Sequence, residues 1–136
     1  MSEVAELLAD LVRLPSVNPC GCEPEGPYQG EERMTRFVHE WLQERGIACR
    51  RQSVSPGREN VIARVPGREE PPIVFESHMD TVGVDGMTVA PFEPRIEDGR
   101  MFGRGSCDTK SSLAAMMIAL ARVAQGDPPP RTVELV

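Results

Sequence analysis

The chain has 136 residues and a mass of 15.0 kDa, which corresponds to one ordinary domain or to part of a larger one. Hydrophobic residues make up 40% and charged residues 26% of the sequence, so a wholly disordered chain is excluded. The net charge of −6 and the aromatic content of 4% argue against nucleic acid and an anionic membrane as partners. The sequence has no bilayer-length apolar run and no readable secretory signal, so we expect a cytoplasmic α/β protein.

Two amphipathic helices are predicted in the first third of the chain. The first has Ser2 available as its N-cap and is stopped by Pro15, and the second covers about 31–45 and is stopped by Gly46. Between them, residues 16–30 form a loop rich in Pro and Gly, which we expect on the surface. The inward positions recur at helical spacing; they are Val4, Leu7, Leu8, Leu11 and Val12 in the first helix, and Met34, Phe37, Val38, Trp41 and Leu42 in the second.

Strand patterns dominate the middle of the chain, and a third helix follows them. That helix is predicted from near Asp108 to about Ala124, with Leu113, Met116, Met117, Leu120 and Ala124 facing inward. A last strand runs into Val136 with no closing element after it, so we expect a fragment of a longer protein. The predicted strands are an edge strand at 47–54, a strand at 60–65, a buried strand at 73–77, a hairpin at 94–104 that turns at 97–100, and the last strand at 131–136.

The four cysteines are predicted to be reduced thiols without a shared role. Cys20 and Cys22 lie close together in the first loop and could act as soft-metal ligands, but no second pair completes a tetrahedral site. Cys49 and Cys107 follow no disulfide spacing.

A first candidate site lies at the end of the predicted buried strand, in the segment 77–82. Residues i and i+2 of an extended chain point the same way, so His78 and Asp80 present an imidazole and a carboxylate on one side. A ligating imidazole usually has its second ring nitrogen held by a carboxylate or a carbonyl. The alternative is a capped loop histidine beside an aspartate in a turn.

A second candidate site is the segment 103–112, in which two glycines precede Asp108 at the start of the third helix. Asp108 is suited to two roles, N-cap of that helix or metal ligand on a rigid helix start, and the local pattern does not separate them. Phosphate binding is disfavoured because the glycine spacing is not that of a Walker loop and an aspartate repels the anion.

Together the two segments resemble a known family. His-Met-Asp-Thr-Val at 78–82 and Gly-Arg-Gly-Ser-Cys-Asp-Thr-Lys at 103–110 match the first two motifs of the co-catalytic zinc amidohydrolases and peptidases. That family includes acetylornithine deacetylase, succinyl-diaminopimelate desuccinylase, aminoacylase and the glutamate carboxypeptidases. The intervening segment 90–94 and the opening Leu-Pro-Ser-Val-Asn-Pro at 14–19 also fit, whereas Ser111 stands where the family usually has glycine.

The resemblance implies a three-layer α/β/α sandwich with a mixed central sheet, of which residues 1–136 are the N-terminal part. It also implies two zinc ions, with cobalt as a possible substitute. His78 would bind one ion, Asp108 would bridge both, and Asp80 would orient His78 and support the catalytic base. The implied activity is hydrolysis of the amide bond of an N-acyl amino acid or small peptide.

The same resemblance places the general-base glutamate, the other ligands and the lid domain beyond Val136. We therefore expect this chain to be inactive alone and its parent to form a homodimer through the absent lid domain. Glu76, Glu93 and His39 do not match the missing positions. Two alternatives remain: a complete non-catalytic module that binds a metal or a partner, and purely structural roles for both segments.

Overall fold

The computed structural model describes residues 2–20 and 26–136. Three helices lie in this part of the chain: α1 (Glu3–Arg13), α2 (Glu32–Glu44) and α3 (Lys110–Gln125). None of the described helices combines the length and the hydropathy that a membrane-spanning segment requires.

Helices α1 and α2 follow the predicted patterns closely. The Ser2 hydroxyl accepts a hydrogen bond from the Ala5 N–H at 3.3 Å, which confirms the predicted N-cap of α1. The chain leaves α2 through Gly46, whose φ of +70° is the left-handed conformation that favours glycine at a helix C-terminus. The inward residues of both helices other than Val12 join one core, in which Val4, Leu8 and Phe37 are only partly buried.

Helix α3 ends at Gln125, close to the predicted Ala124, but its start differs slightly from the prediction. It begins at Lys110 rather than near Asp108, and Thr109 holds the N-cap position without a side-chain hydrogen bond. Leu113, Met117 and Leu120 are buried as predicted, but Ala124, in the last turn, is exposed.

A mixed four-stranded sheet carries the core. Its order is β1-β2-β6-β3, in which β2 pairs antiparallel with β1 and β6, while β3 runs parallel to β6. The first strand is at one edge, as predicted. The four strands are β1 (Ala48–Ser55), β2 (Arg58–Val65), β3 (Ile73–Phe75) and β6 (Val133–Leu135).

The predicted buried strand at 73–77 is shorter than expected and exposed. Strand β3 pairs only with β6 among the described residues, so its outer side is open. Ile73, Val74 and Phe75 are consequently about half exposed, at 48%, 54% and 47%. The apolar run predicted a strand correctly, but burial also depends on neighbours that a short run does not specify.

The helices pack on one face of this sheet, which we call the helical face. It carries Val61, Ala63, Val65 and Leu135, which are buried together with α2 and α3, while α1 lies against α3. The opposite face carries polar side chains, among them Arg64, which pairs with Glu134 and Glu70. The mixed sheet is thus confirmed, and the described residues form the sheet and one helical layer of the expected sandwich.

The predicted hairpin is confirmed as a separate two-stranded sheet, β4 (Arg95–Glu97) and β5 (Arg100–Phe102). Asp98 and Gly99 both have positive φ angles, +48° and +74°, as a two-residue hairpin turn requires. The second candidate segment follows directly after the hairpin and begins at Gly103, which lies against Val12 of α1.

Lys110 is the most deeply buried charged residue of the described chain and its only lysine, 1% exposed at the start of α3. Its Nζ donates to the Leu11 carbonyl at 3.0 Å and to the Leu14 carbonyl at 2.8 Å. These carbonyls belong to the C-terminal end of α1, where the helix dipole favours a cation. Burial lowers the Lys110 pKa from 10.5 to about 8.

We predict that Lys110→Met destabilises the chain by about 1–3 kcal/mol at neutral pH, because the partly buried Leu14 carbonyl loses its donor. The wild type should also gain stability as the pH rises from about 8 to 10.5. In that window the unfolded chain binds the proton that the folded lysine has lost, so the slope of stability against pH is positive. Urea denaturation across this range measures both effects.

Arg36→Met is the matched control, because Arg36 is an exposed cation on α2. It should change the unfolding free energy by no more than about 0.5 kcal/mol and leave the alkaline slope intact. A Lys110→Met chain that keeps the wild-type slope would contradict the assignment of that slope to Lys110.

Candidate metal centre

The structure brings His78, Asp80 and Asp108 together. His78 Nδ1 lies 3.0 Å from Asp80 Oδ1, and His78 Nε2 lies 3.2 Å from Asp108 Oδ1. Both ring nitrogens therefore face a carboxylate, although 30 positions separate the histidine from the second aspartate. The two candidate segments, 77–82 and 103–112, therefore meet in the folded chain.

Residues 16–18, just after α1, hold the segment that carries His78 and Asp80. The Thr81 N–H donates to the Ser16 carbonyl at 2.9 Å, and the Asn18 N–H donates to the Thr81 carbonyl at 2.8 Å. The Ser16 hydroxyl, itself fully buried, donates to the Met79 carbonyl at 2.8 Å. These bonds pair the first loop with the site in the manner of two short parallel strands.

This pairing corrects the prediction that residues 16–30 form a surface loop. Ser16 and Val17 are buried, because their backbone groups are used by residues 79–81 and by the returning loop at Tyr28 and Gly30. Residues 26–28 are exposed, as predicted, while residues 21–25, including Cys22, lie outside the described residues. Cys20, Cys49 and Cys107 are free thiols, as expected.

Two glycines bring the second segment close to the rest of the site. A Cβ on Gly105 would approach the Thr81 methyl to 2.9 Å and Lys110 Cδ to 3.1 Å, and its φ is +79°. A Cβ on Gly103 would lie 2.5 Å from Val12 Cγ1 of α1. The glycines thus let the backbone before Asp108 pack against α1 and the buried Lys110 stem.

Asp108 does not cap α3, so that interpretation is wrong. The N-cap position is Thr109, and the Asp108 side chain points to His78 and is 85% exposed. An aspartate one residue before the cap cannot reach the free N–H groups of the first turn in the usual way. Its carboxylate therefore faces His78 and the cleft beside it rather than the first turn of α3.

The electrostatics of the site favour a positive charge on the ring. Partial burial opposes protonation of His78, but the hydrogen bonds and charges of Asp80 and Asp108 outweigh it, so the His78 pKa is raised above 6.5. Partial burial also favours neutral Asp80, but the hydrogen bond from Asn18 and the charge of His78 lower the Asp80 pKa below 3.8.

His78 and Asp80 lie between two open clefts. One, of about 420 Å³, is lined by the segments 78–83 and 103–108 together with Asn18 and Cys20. The other, of about 220 Å³, is lined by the Glu31–Arg58 ion pair, Glu76 and the end of β6. His39 and Glu93 line neither cleft, whereas Glu76, which was left out of the candidate site with them, lines the second.

The donor atoms fit part of a metal site. Two ligands at about 2.0–2.1 Å from a tetrahedral zinc ion are about 3.3 Å apart, close to the observed 3.2 Å between His78 Nε2 and Asp108 Oδ1. Asp80 on Nδ1 is the outer partner that a ligating imidazole usually has. Within residues 2–20 and 26–136, no third His, Cys, Asp or Glu converges with these two donors to complete a site.

Sequence reasoning missed one polar contact of the site. Asn18 Nδ2 donates to Asp80 Oδ2 at 2.6 Å across 62 positions of the chain. The sequence drew attention to Asn18 only as part of the opening segment. Nothing in the spacing of a loop asparagine indicates which distant carboxylate it contacts.

Comparison with known proteins identifies the family that this chain resembles. The model of the family described as Peptidase family M20/M25/M40 matches residues 74–136, which include both candidate segments. A succinyl-diaminopimelate desuccinylase from Parvibaculum lavamentivorans is 34% identical over 127 residues, covering 88% of this chain and 29% of that protein. The resemblance predicted from the sequence is thereby confirmed.

Solved structures show the same fold. An M20 family metallo-carboxypeptidase from Sulfolobus solfataricus superposes with a TM-score of 0.83 at 22% identity, covering 99% of this chain and 30% of that one. A dinuclear metal-binding peptidase of the M20 family from Bacillus subtilis gives a TM-score of 0.60 at 24% identity, covering 97% and 33%. The chain thus spans about a third or less of the length of the proteins it matches.

We predict that the His78 ring of the metal-free chain titrates above pH 6.5, because two carboxylates stabilise the imidazolium. The stability that His78 contributes should be fully present below pH 6.5 and decline as the pH rises through the folded-state pKa. Proton NMR of the ring across this range measures the midpoint. Asp80→Asn should lower that midpoint, and a wild-type midpoint at or below 6.5 would contradict the prediction.

Proposed function

We propose that this chain, whose residues 74–136 belong to peptidase family M20/M25/M40, forms the N-terminal part of the catalytic domain of a metal-dependent amidohydrolase. The observation that carries the proposal is the convergence of His78 Nε2 and Asp108 Oδ1, with Asp80 held on the other ring nitrogen. A histidine and an aspartate from two distant segments meet just beyond the C-terminal end of β3, in the arrangement that a metal site needs.

The substrate class we propose is an N-acyl amino acid or a small peptide, cleaved at its amide bond. The relatives named succinyl-diaminopimelate desuccinylase support an acylated amino acid, and the structural neighbours named as peptidases support a peptide amide. The open cleft of about 420 Å³ beside His78 and Asp108 is of the size that small-molecule sites have.

The metal we propose is zinc, bound as a pair, with cobalt as a substitute. Imidazole nitrogen and carboxylate oxygen are donors that zinc accepts, and the Bacillus subtilis neighbour is described as dinuclear. When bound, a metal pair lowers the pKa of a water molecule and polarises the scissile carbonyl. His78 and Asp108 would hold it, and the two oxygens of Asp108 suit this residue to bridge both ions.

Asp80 acts through the histidine. Its Oδ1 and its backbone carbonyl lie 3.0 Å and 3.1 Å from His78 Nδ1, and a proton held there would leave the Nε2 lone pair for the ligand. Its pKa lies below the ordinary value, so Asp80 stays ionised at neutral pH and can also support a general base that approaches the cleft.

We further propose a cytoplasmic location and a homodimeric parent whose contact lies in a domain outside residues 1–136. The free thiols of Cys20, Cys49 and Cys107 are as expected for a reducing compartment. A complete non-catalytic module is the alternative, and the following experiment separates the two.

We predict that the full-length protein hydrolyses N-acetyl or N-succinyl amino acids or dipeptides with zinc bound, whereas residues 1–136 alone do not. His78→Ala and Asp108→Ala in the full-length protein should each lower kcat by more than the about 10–100-fold typical of outer partners, because each removes a ligand. The measurement is a steady-state assay of each protein together with its metal content.

His39→Ala and Asp127→Ala are the matched controls, since these side chains lie outside both clefts. They should leave kcat and metal content unchanged. Zinc-dependent turnover by residues 1–136 alone would disprove the need for further ligands, and a metal-free, inactive full-length protein would favour the non-catalytic module.

A further inference from the structure

We infer that Asn18 is a positioning residue of the metal site: its side-chain amide fixes the Asp80 carboxylate so that Asp80 in turn holds His78. The inference rests on the proposed function and adds to it a residue from outside both candidate segments. It is carried by the hydrogen-bond geometry around Asp80.

Each oxygen of Asp80 has its own partner. Oδ1 faces His78 Nδ1 at 3.0 Å, and Oδ2 accepts from Asn18 Nδ2 at 2.6 Å. With one partner on each oxygen, rotation of the carboxylate about its Cβ–Cγ bond would break both contacts. The amide of Asn18 therefore sets the plane in which Asp80 meets the imidazole.

The orientation of the Asn18 amide is itself determined. Its Oδ1 accepts from the Cys20 N–H at 2.8 Å, so the NH2 group must be the end that faces Asp80. The Asn18 N–H donates to the Thr81 carbonyl, which holds the backbone of this residue beside the segment it supports. Asparagine thus uses a backbone donor, a side-chain acceptor and a side-chain donor at once.

The contact requires an amide of this length. Aspartate at position 18 would place a second carboxylate against Asp80 Oδ2, and alanine would leave Oδ2 without a donor in a half-buried place. Ser16 supports the same segment differently, through the Met79 carbonyl, and does not touch Asp80. Ser16 therefore holds the backbone of the segment, whereas Asn18 orients the Asp80 carboxylate.

The test is a double-mutant cycle on zinc affinity in the full-length protein, measured by competition with a chelator. Asn18→Ala should weaken zinc binding about 10-fold or more, within the range that outer partners of metal ligands show. In an Asp80→Ala background the same change should alter the affinity by less than about twofold, because the group through which Asn18 acts is gone. Equal losses in both backgrounds, or no loss in either, would overturn the inference.

Asn18→Asp keeps the shape of the side chain, removes the donor and places a second carboxylate against Asp80 Oδ2. It should lower both the zinc affinity and kcat about 10-fold or more, because a carboxylate at position 18 cannot donate to Asp80 Oδ2. Gln52→Glu makes the same chemical change at an exposed position of β1 and should alter neither constant. A fall in melting temperature with unchanged kcat and zinc affinity would assign Asn18 a purely structural role and overturn the inference.

Different results would contradict the proposed function and the role of Asn18. If the wild-type full-length protein binds no zinc and hydrolyses nothing, the proposed function is wrong and the role of Asn18 falls with it. If the wild type binds zinc and turns over while the cycle shows additive losses, only the role of Asn18 is wrong.

Discussion

The paired backbone of residues 16–18 and 79–81 is the constraint on which the site depends. The Thr81 N–H bonds to the Ser16 carbonyl at 2.9 Å and the Asn18 N–H to the Thr81 carbonyl at 2.8 Å, directly after α1 ends. These two backbone hydrogen bonds therefore fix the segment with His78 and Asp80 relative to the end of α1. Because β3 ends at Phe75, three residues before the histidine, the sheet alone would leave this segment without support on one side.

Lys110 performs the corresponding task for the second segment. Its ammonium bonds the carbonyls of Leu11 and Leu14, and its stem lies beneath Gly105. Both candidate segments are thus held by the C-terminal end of α1 and the residues just after it. The segment with His78 is held by backbone hydrogen bonds, and the segment with Asp108 by the buried ammonium of Lys110. The energetic cost of burying that cation, visible in its lowered pKa, is offset by its hydrogen bonds to two carbonyls at the C-terminal end of α1.

Local periodicity predicted the helices, the hairpin and the strands because these features repeat within a few residues. The approach of His78 to Asp108 was also predictable, since two motifs pointed to one chemistry. Burial of β3 was not, because it depends on which strands lie beside it. The choice between cap and ligand for Asp108 depended on where α3 begins, two residues later than the pattern suggested. The contact between Asn18 and Asp80 joins residues 62 positions apart and leaves no periodic signal.

The exposed edge of β3 has a consequence for handling this chain in solution. Ile73 and Phe75 border an apolar groove of about 290 Å³ against Met116 and Val123 of α3. An unpaired strand edge beside such a groove is a template on which a second β-strand can add by main-chain hydrogen bonds. We therefore expect residues 1–136 alone to self-associate along β3 at high concentration, and a charged side chain at the exposed Val74, on the opposite face of the same strand, should oppose it.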